Sequence, residues 1–321
     1  MNTPTPTDPR ERLALGQRLN NLVGPDVQPW HLKASYEVFD ENGKSIDKGA
    51  FEEWWVSEKK YKLGYQGAEF SQEEYGTDHG MLHSGQKDWP SGPLSFLRRT
   101  IEQPIPSKED LDDWGQLNLE RKFGTAQLPC TALSYHGGKE VSERSASFCF
   151  EPTKAILLYS NSSDRINQTT FAHFFLFQDR YVARDRRLLF LGKPALSIHV
   201  DTLETLNPPD QANVSPPGNA LPVARRVELS SVESDHYLMK EVMPEYPVAA
   251  KMQGVQGRVI LAFTISRDGR VTEVRVLAGP QLLQKAAEDA VRQWLFKPYL
   301  LGGEAVEVET EAQVIFNLGS R

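Results

Sequence analysis

The chain has 321 residues and a formal net charge of -7, and 39% of its residues are hydrophobic and 25% charged. This composition is ordinary for a globular protein, and the length suits two domains. No basic stripe accompanies the acidic balance, so nucleic acid is not an expected partner.

The chain shows no apolar run of the roughly 18 residues that a membrane-spanning helix needs. Its start, MNTPTPTDPRERLALG, is polar and lacks the apolar core of a signal peptide. We therefore expect either a cytosolic protein or one whose targeting segment is missing from this chain.

The first two thirds of the chain predict a helix followed by many strands. Residues 10–22 carry Leu15, Leu19 and Leu22 at helical spacing. HLKASYEVFD and GAFEEWWVSEKKYKLGYQ alternate apolar and polar residues around the turn sequence ENGKS. A short helix is predicted in PLSFLRRTIEQ, and further strands follow in AILLYS, TFAHFFLFQ, RYVARDRRLLFLG and ALSIHVDTLETL. These patterns predict a β-rich domain over residues 10–206.

The composition changes after this domain. The segment NPPDQANVSPPGNALP, residues 207–222, holds five prolines and no aromatic residue. Proline fixes the backbone φ angle and removes a hydrogen-bond donor, so the segment predicts an extended linker. The remaining residues, 223–321, are expected to form a second domain.

The second domain is predicted to place one helix on a three-stranded antiparallel sheet. VILAFTI and VTEVRVL flank the turn sequence Asp268-Gly269, and Pro280 suits the start of a helix. The last strand alternates most regularly. One face carries Val306, Val308, Thr310, Ala312, Val314 and Phe316, and the other carries Glu307, Glu309, Glu311 and Gln313. The edge strands of such a sheet can accept another chain as an extra strand.

Residues that could carry catalysis or bind a metal are sparse. The sequence has no GxSxG, P-loop, HExxH or dinucleotide-binding motif. Asp78, His79 and His83 form its one histidine–carboxylate cluster, in a glycine-rich stretch that does not suit a helical metal site. We therefore expect no enzyme activity, no metal and no cofactor. Cys130 and Cys149 lie in strand-like segments, and spacing alone leaves open whether they are paired or free.

Residues 244–318 resemble the C-terminal domain of TonB, the energy transducer of Gram-negative bacteria. The matching positions spread over the whole segment; they are Tyr246-Pro247, Ala250, Gly254, Gly257, Val259, Phe263, Asp268-Gly269, Val271, Val274, Ala287, Ala290-Val291, Trp294, Phe296, Pro298, Gly303 and Phe316. The resemblance implies a non-enzymatic periplasmic protein of the cell envelope that takes part in transport.

The same resemblance implies a partner and a binding site. The partner is the TonB-box peptide of a TonB-dependent outer-membrane transporter, which adds as a strand along residues 306–316. The implied contacts are Tyr246, Pro247, Val306, Val308, Glu309, Thr310, Glu311, Ala312, Val314 and Phe316. Inner-membrane motor proteins are partners only if the full gene encodes an anchor, because this chain shows no membrane helix. Its linker would extend only about 50 Å.

Residues 10–206 are similar, more weakly, to the LolA-type half-barrels of lipoprotein-sorting proteins. This resemblance implies a hydrophobic groove lined by Phe51, Trp54, Trp55 and Phe70, with lipid as a ligand. A periplasmic location would also favour a Cys130–Cys149 disulfide. Two alternatives to transduction follow: a carrier or sensor of hydrophobic ligands with a TonB-like docking domain, and an envelope scaffold.

Overall fold

In the computed structural model, the chain forms two compact units, Met1–Val223 and Ala224–Arg321. The structure describes residues 4–40, 42–85, 90, 92–108, 111, 114–135, 145–162, 167–207, 214–222, 226–229, 234, 237–301 and 304–318. In this part of the chain, no helix combines the length and the apolar character that crossing a membrane requires.

The first unit is a large half-barrel-like antiparallel sheet with few helices. Its helices are α1 (Pro9–Asn20) and α2 (Leu97–Glu102), the latter preceded by a 3-10 turn, Gly92–Phe96. Its strands are β1 (Trp30–Phe39), β2 (Ser45–Ser57), β3 (Lys60–Gly67), β4 (Ser71–Thr77), β5 (Gly80–Gly85), β6 (Trp114–Phe123), β7 (Ala126–Tyr135), β8 (Ser147–Phe150), β9 (Leu157–Asn161), β10 (Asn167–Phe177), β11 (Arg180–Phe190), β12 (Lys193–Thr205) and β13 (Leu221–Pro222). Among the described residues they pair in the order β13-β5-β4-β3-β2-β1-β12-β11-β10-β9-β8-β7-β6.

Strand β13 consists of the last two residues of the predicted linker, Leu221 and Pro222. These residues pair with His83 and Leu82 of β5. The end of the proline-rich segment therefore belongs to the first unit's sheet. The division into 10–206, 207–222 and 223–321 stays a prediction.

Helix α1 begins where Asp8 accepts hydrogen bonds from the N–H groups of Arg10 and Glu11, which caps the first turn. The sequence predicted that this helix continues to Leu22, but it ends at Asn20. The side chains of Asn20 and Asn21 bind the backbone of Ala155, Leu157 and Ile105 instead. These long-range hydrogen bonds end the helix two residues early.

The two cysteines occupy opposing positions on neighbouring strands. Cys130 of β7 is in register with Cys149 of β8, and their Cα atoms are 4.0 Å apart. They form a disulfide bond, as the periplasmic resemblance predicted. Both residues are fully buried. The sequence also places a glycine-containing turn region between the two cysteines, at residues 136–138, which lies outside the described residues.

The second unit confirms the predicted helix on three long antiparallel strands and adds several short strands. Its helices are α3 (Val248–Met252) and α4 (Gln281–Val291). Its strands are β14 (Arg226–Glu228), β15 (Leu238–Lys240), β16 (Gly257–Ile265), β17 (Val271–Ala278), β18 (Leu295–Phe296), β19 (Tyr299–Leu301) and β20 (Glu304–Phe316). The main sheet has the order β14-β20-β16-β17, and the predicted α+β class is confirmed.

The core of the second unit lies between α4 and the sheet. Leu283, Ala287 and Val291 form the buried stripe of α4 and pack with Phe263 of β16. Apolar burial of this kind is the main force that holds a helix on a sheet. The hairpin between β16 and β17 turns at Gly269, whose φ is +83°. An added Cβ would collide there with the carbonyl oxygen of Phe296, so the turn needs glycine.

Candidate functional site

The last strand, β20, is built by strict alternation of side chains. Its even-numbered residues from Val306 to Phe316 point into the core and are at most 5% exposed. Its odd-numbered residues lie on the outer face, where Ile315 is 60% exposed. The buried set includes most of the predicted partner-binding residues. A guest chain can therefore reach those positions only through the backbone of β20.

Two strands flank β20, one on each side. Strand β16 pairs with it in antiparallel register from Val308 to Phe316. On the opposite side, β14 pairs in parallel with Glu307, Val308 and Glu309. The N–H of Leu229 then donates a 2.9 Å hydrogen bond to the carbonyl oxygen of Glu309.

This hydrogen bond shows which backbone groups face the outer edge. Because the two sides of a strand alternate residue by residue, residues of the same parity as Glu309 direct N–H and C=O away from β16. Gln313 and Ile315 belong to this set. Beyond Glu309, none of the described strands pairs with β20 on that side.

The sequence predicted an edge open from Val306 to Phe316, and the structure changes that expectation. Residues 307–309 carry β14, and β19 pairs with residues 304–306. Residues 304–309 of the predicted edge are therefore already paired with strands of the same unit. A three-residue parallel pairing between distant parts of the chain leaves no periodic pattern in the sequence, which explains why it was not predicted.

Tyr246 lies beside the carboxyl end of β20. Its ring meets the ring of Phe316 edge-on at 5.4 Å between centroids, and its hydroxyl donates a 2.7 Å hydrogen bond to the carbonyl oxygen of Val255. The ammonium of Lys251 lies 5.6 Å from the centre of the tyrosine ring. Tyr246 is half-buried, and its hydroxyl is hydrogen-bonded within the unit. Its main contribution is therefore to pack against the carboxyl end of β20. Pro247, the other predicted contact, caps α3.

Helix α3 adds exposed apolar surface that sequence reasoning missed. Val248 is 73% exposed and Met252 is 82% exposed, one helical turn apart. Since α3 directly follows Tyr246 and Pro247, these two side chains lie close in sequence to the residue that packs on Phe316. The signal was present in the sequence as an apolar pair with a spacing of four residues.

The outer face of the sheet carries charges of both signs. The guanidinium of Arg275 lies 4.0 Å from the carboxylate of Glu309, and Arg258 donates a 3.2 Å hydrogen bond to Gln313. The glutamates of β20 are thus part of a mixed surface, in which neighbouring arginines reduce the negative field.

The four residues predicted to line a groove in the first unit do not share one face. Phe51 and Trp55 are buried in the core, where the Trp55 ring stacks on Trp30 at 5.8 Å. Phe70 packs partly buried against the same core. Trp54 points to the opposite face, because successive strand residues alternate. There it stacks on His31 at 4.5 Å.

A buried charge cluster in the first unit was not predicted either. Arg98 of α2 lies 2.8 Å from Glu53, 2.9 Å from Glu102 and 3.7 Å from Glu74. Its guanidinium also lies 4.0 Å from the centre of the Tyr61 ring. Burial raises the pKa of the Glu53 carboxyl well above its usual value, and burial also raises the pKa of Glu74. The cluster fastens α2 to strands β2 and β4.

The predicted histidine–carboxylate cluster is dispersed. His83 is buried on β5 in register with Glu74, whereas Asp78 and His79 form the turn before that strand. Among the described residues, no group of three histidine, cysteine or acidic side chains is placed to hold a metal ion.

Comparison with known proteins adds to this geometry. Residues 242–318 match the family model of the Gram-negative bacterial TonB protein C-terminal. Protein TonB of Pseudomonas aeruginosa is 30% identical over 91 residues, which make up 28% of this chain and 27% of that protein. Protein TonB of Xanthomonas campestris pv. campestris is 38% identical over 77 residues, 23% of this chain and 34% of that protein.

The likeness to solved structures is weaker. The LolA superfamily protein of Nitrosomonas europaea is 6% identical, with a TM-score of 0.43, and the match covers 63% of this chain and 96% of that one. The chain spans about a quarter to a third of the length of the curated relatives it matches. Its residues 242–318 match the TonB C-terminal family model, and in the same chain they follow a large half-barrel-like antiparallel sheet.

Proposed function

We propose that this protein is a non-enzymatic periplasmic protein of the TonB type, which binds an extended peptide from a TonB-dependent outer-membrane transporter by strand addition. The match of residues 242–318 to the TonB C-terminal family supports this proposal. At the level of that family, the domain serves energy transduction for transport.

The observation that carries the proposal is the outer edge of β20 beyond Glu309. Gln313 and Ile315 direct their backbone N–H and C=O groups away from β16, and none of the described strands pairs with β20 on this side beyond Glu309. An edge of this kind accepts a guest strand through backbone hydrogen bonds, each of which contributes about 1 kcal/mol net.

The surroundings of this edge suit a guest with apolar side chains. Ile315 is exposed on the outer face, and Val248 and Met252 are exposed on α3. Because Tyr246 packs on Phe316, a guest that follows the edge to its carboxyl end arrives next to the start of α3. Tyr246 and Pro247 then shape the end of the site.

The role of the first unit follows from the transducer function. We assign it a docking or sensing role in the envelope. Carriage of a lipid is the alternative. The burial of Phe51 and Trp55 and the outward position of Trp54 give this alternative less support.

Titration of the full chain with TonB-box peptides tests the proposal. The informative variants are Ile315→Pro and Ile315→Thr. Proline removes the N–H that would bind the guest, whereas threonine keeps that N–H and changes only an exposed side chain. We expect Ile315→Pro to weaken binding by about 10-fold or more and Ile315→Thr by less than about 3-fold.

The same titration can refute strand addition. If the folded wild-type chain binds none of the peptides, the proposed function is wrong. If Ile315→Pro binds as well as Ile315→Thr, the peptide binds elsewhere on the molecule. Circular dichroism and a thermal melt establish that each variant is folded before it is titrated.

A further inference from the structure

The strand that pairs with residues 307–309 of β20 belongs to the same unit and occupies the same edge as the proposed guest. We call residues 226–229 the arm. Its first three residues form β14, in parallel register with Glu307, Val308 and Glu309. Its last residue, Leu229, is 9% exposed and packs in the core of the unit.

We propose that the arm is an internal competitor, which shortens the edge available to a guest and must leave before a long peptide can bind. This inference rests on the proposed function, because it concerns the same edge of β20. With the arm in place, a guest can pair with β20 only beyond Glu309. With the arm released, the edge extends back to Glu307.

The described backbone pairing between the arm and β20 is short, which favours its release. Its backbone pairing spans three residues, and the Leu229 N–H donates to Glu309. The chain is held again beyond the arm, where the hydroxyl of Thr310 donates to Ser234, a side chain that is 1% exposed. The anchor at Ser234 lets the arm leave the edge while the rest of the unit stays folded.

The geometry also excludes simultaneous binding. A strand edge offers one row of N–H and C=O groups, and each group bonds with one neighbour at a time. The carbonyl oxygen of Glu309 is already engaged by Leu229. A guest that runs past residue 310 toward Glu307 must therefore displace the arm and replace the arm's hydrogen bonds to β20 with its own.

Peptide length separates this inference from simple strand addition. At about 3.3 Å per residue, a peptide of about six residues fits residues 310–316, whereas one of about ten residues reaches into the arm's part of the edge. Only the longer peptide competes with the arm. Loosening the arm should strengthen binding of the long peptide and leave the short one unchanged.

The variant Val227→Pro loosens the arm, and Glu228→Pro is its matched control. Because Leu229 donates to Glu309, alternation directs the N–H of Val227 toward β20 and the N–H of Glu228 away from it. Proline therefore removes a pairing donor at one position only. We expect Val227→Pro to bind the ten-residue TonB-box peptide about 5- to 10-fold more tightly than the control does. Its affinity for the six-residue peptide should stay within about 2-fold of the control.

Hydrogen exchange of the wild-type chain tests the same inference without any substitution. The amide of Leu229 should be protected in the free protein, lose protection when the long peptide binds, and keep it when the short peptide binds. If Leu229 stays protected with the long peptide bound, or if Val227→Pro strengthens both peptides equally, the arm does not compete. If neither peptide binds any of these proteins, the proposed function is wrong, and the inference about the arm is then wrong as well.

Discussion

Replacing Arg98 with methionine should destabilise the first unit by about 3–5 kcal/mol at pH 7.5. The arginine joins α2 to the sheet through three carboxylates, those of Glu53, Glu74 and Glu102. Methionine retains much of the apolar stem and removes the charge. Glu53, which is fully buried, then has no cation within reach in the described cluster.

The loss of folding stability in Arg98→Met depends on pH. The direction of this dependence follows from the difference in bound protons between the folded and unfolded states. Burial already raises the pKa of Glu53 and of Glu74 in the folded protein, and loss of the Arg98 charge raises both further. The folded state then binds more protons than the unfolded state at pH values above the usual glutamate pKa. Stability of the variant therefore falls as pH rises through this window.

Urea unfolding at pH 5 and pH 7.5 measures this dependence. Tryptophan fluorescence follows mainly the first unit, because Trp294 is the one tryptophan of six that lies beyond residue 223. The loss of stability in Arg98→Met should shrink by at least about 1 kcal/mol between pH 7.5 and pH 5. Arg99→Met is the matched control, since Arg99 is the exposed neighbour on the same helix.

Two outcomes would refute this reasoning. A loss below about 1 kcal/mol at pH 7.5 would mean that the carboxylates find other partners or water. An equal loss at both pH values would mean that Arg98 acts by packing on Tyr61, and its charge would then be irrelevant to stability.

Two further predictions follow from the disulfide and from the division of the chain. Replacing both Cys130 and Cys149 with alanine should lower the stability of the first unit by about 3 kcal/mol, because the bond closes a loop with a sequence separation of 19; an unfolding midpoint equal to that of the wild type would contradict this. A fragment of residues 224–321 should melt cooperatively and give dispersed amide spectra, since its core packs among its own residues. Loss of that cooperative melt in the isolated fragment would show that the first unit supplies part of the core.

Local patterns in the sequence determined much of the second unit. Alternation along residues 306–316 predicted which side chains of β20 are buried, and Asp268-Gly269 predicted the hairpin turn. These features are predictable because a period of two or of 3.6 residues describes how a strand or a helix buries one face. In the first unit, the same alternation predicted strands but not their order in the sheet.

Other features were decided only by the tertiary structure. The sequence does not show that residues 226–229 cover part of β20, or that Trp54 and Trp55 lie on faces with different neighbours. Nor does it show that Arg98 meets Glu53 and Glu74. In each case the partners are far apart in the chain, and the contact depends on strand order and register, whereas a local pattern reports only which face of its own element is apolar. The sequence could therefore predict a sheet edge as the binding element, but only the folded chain decides which residues of that edge remain for a partner.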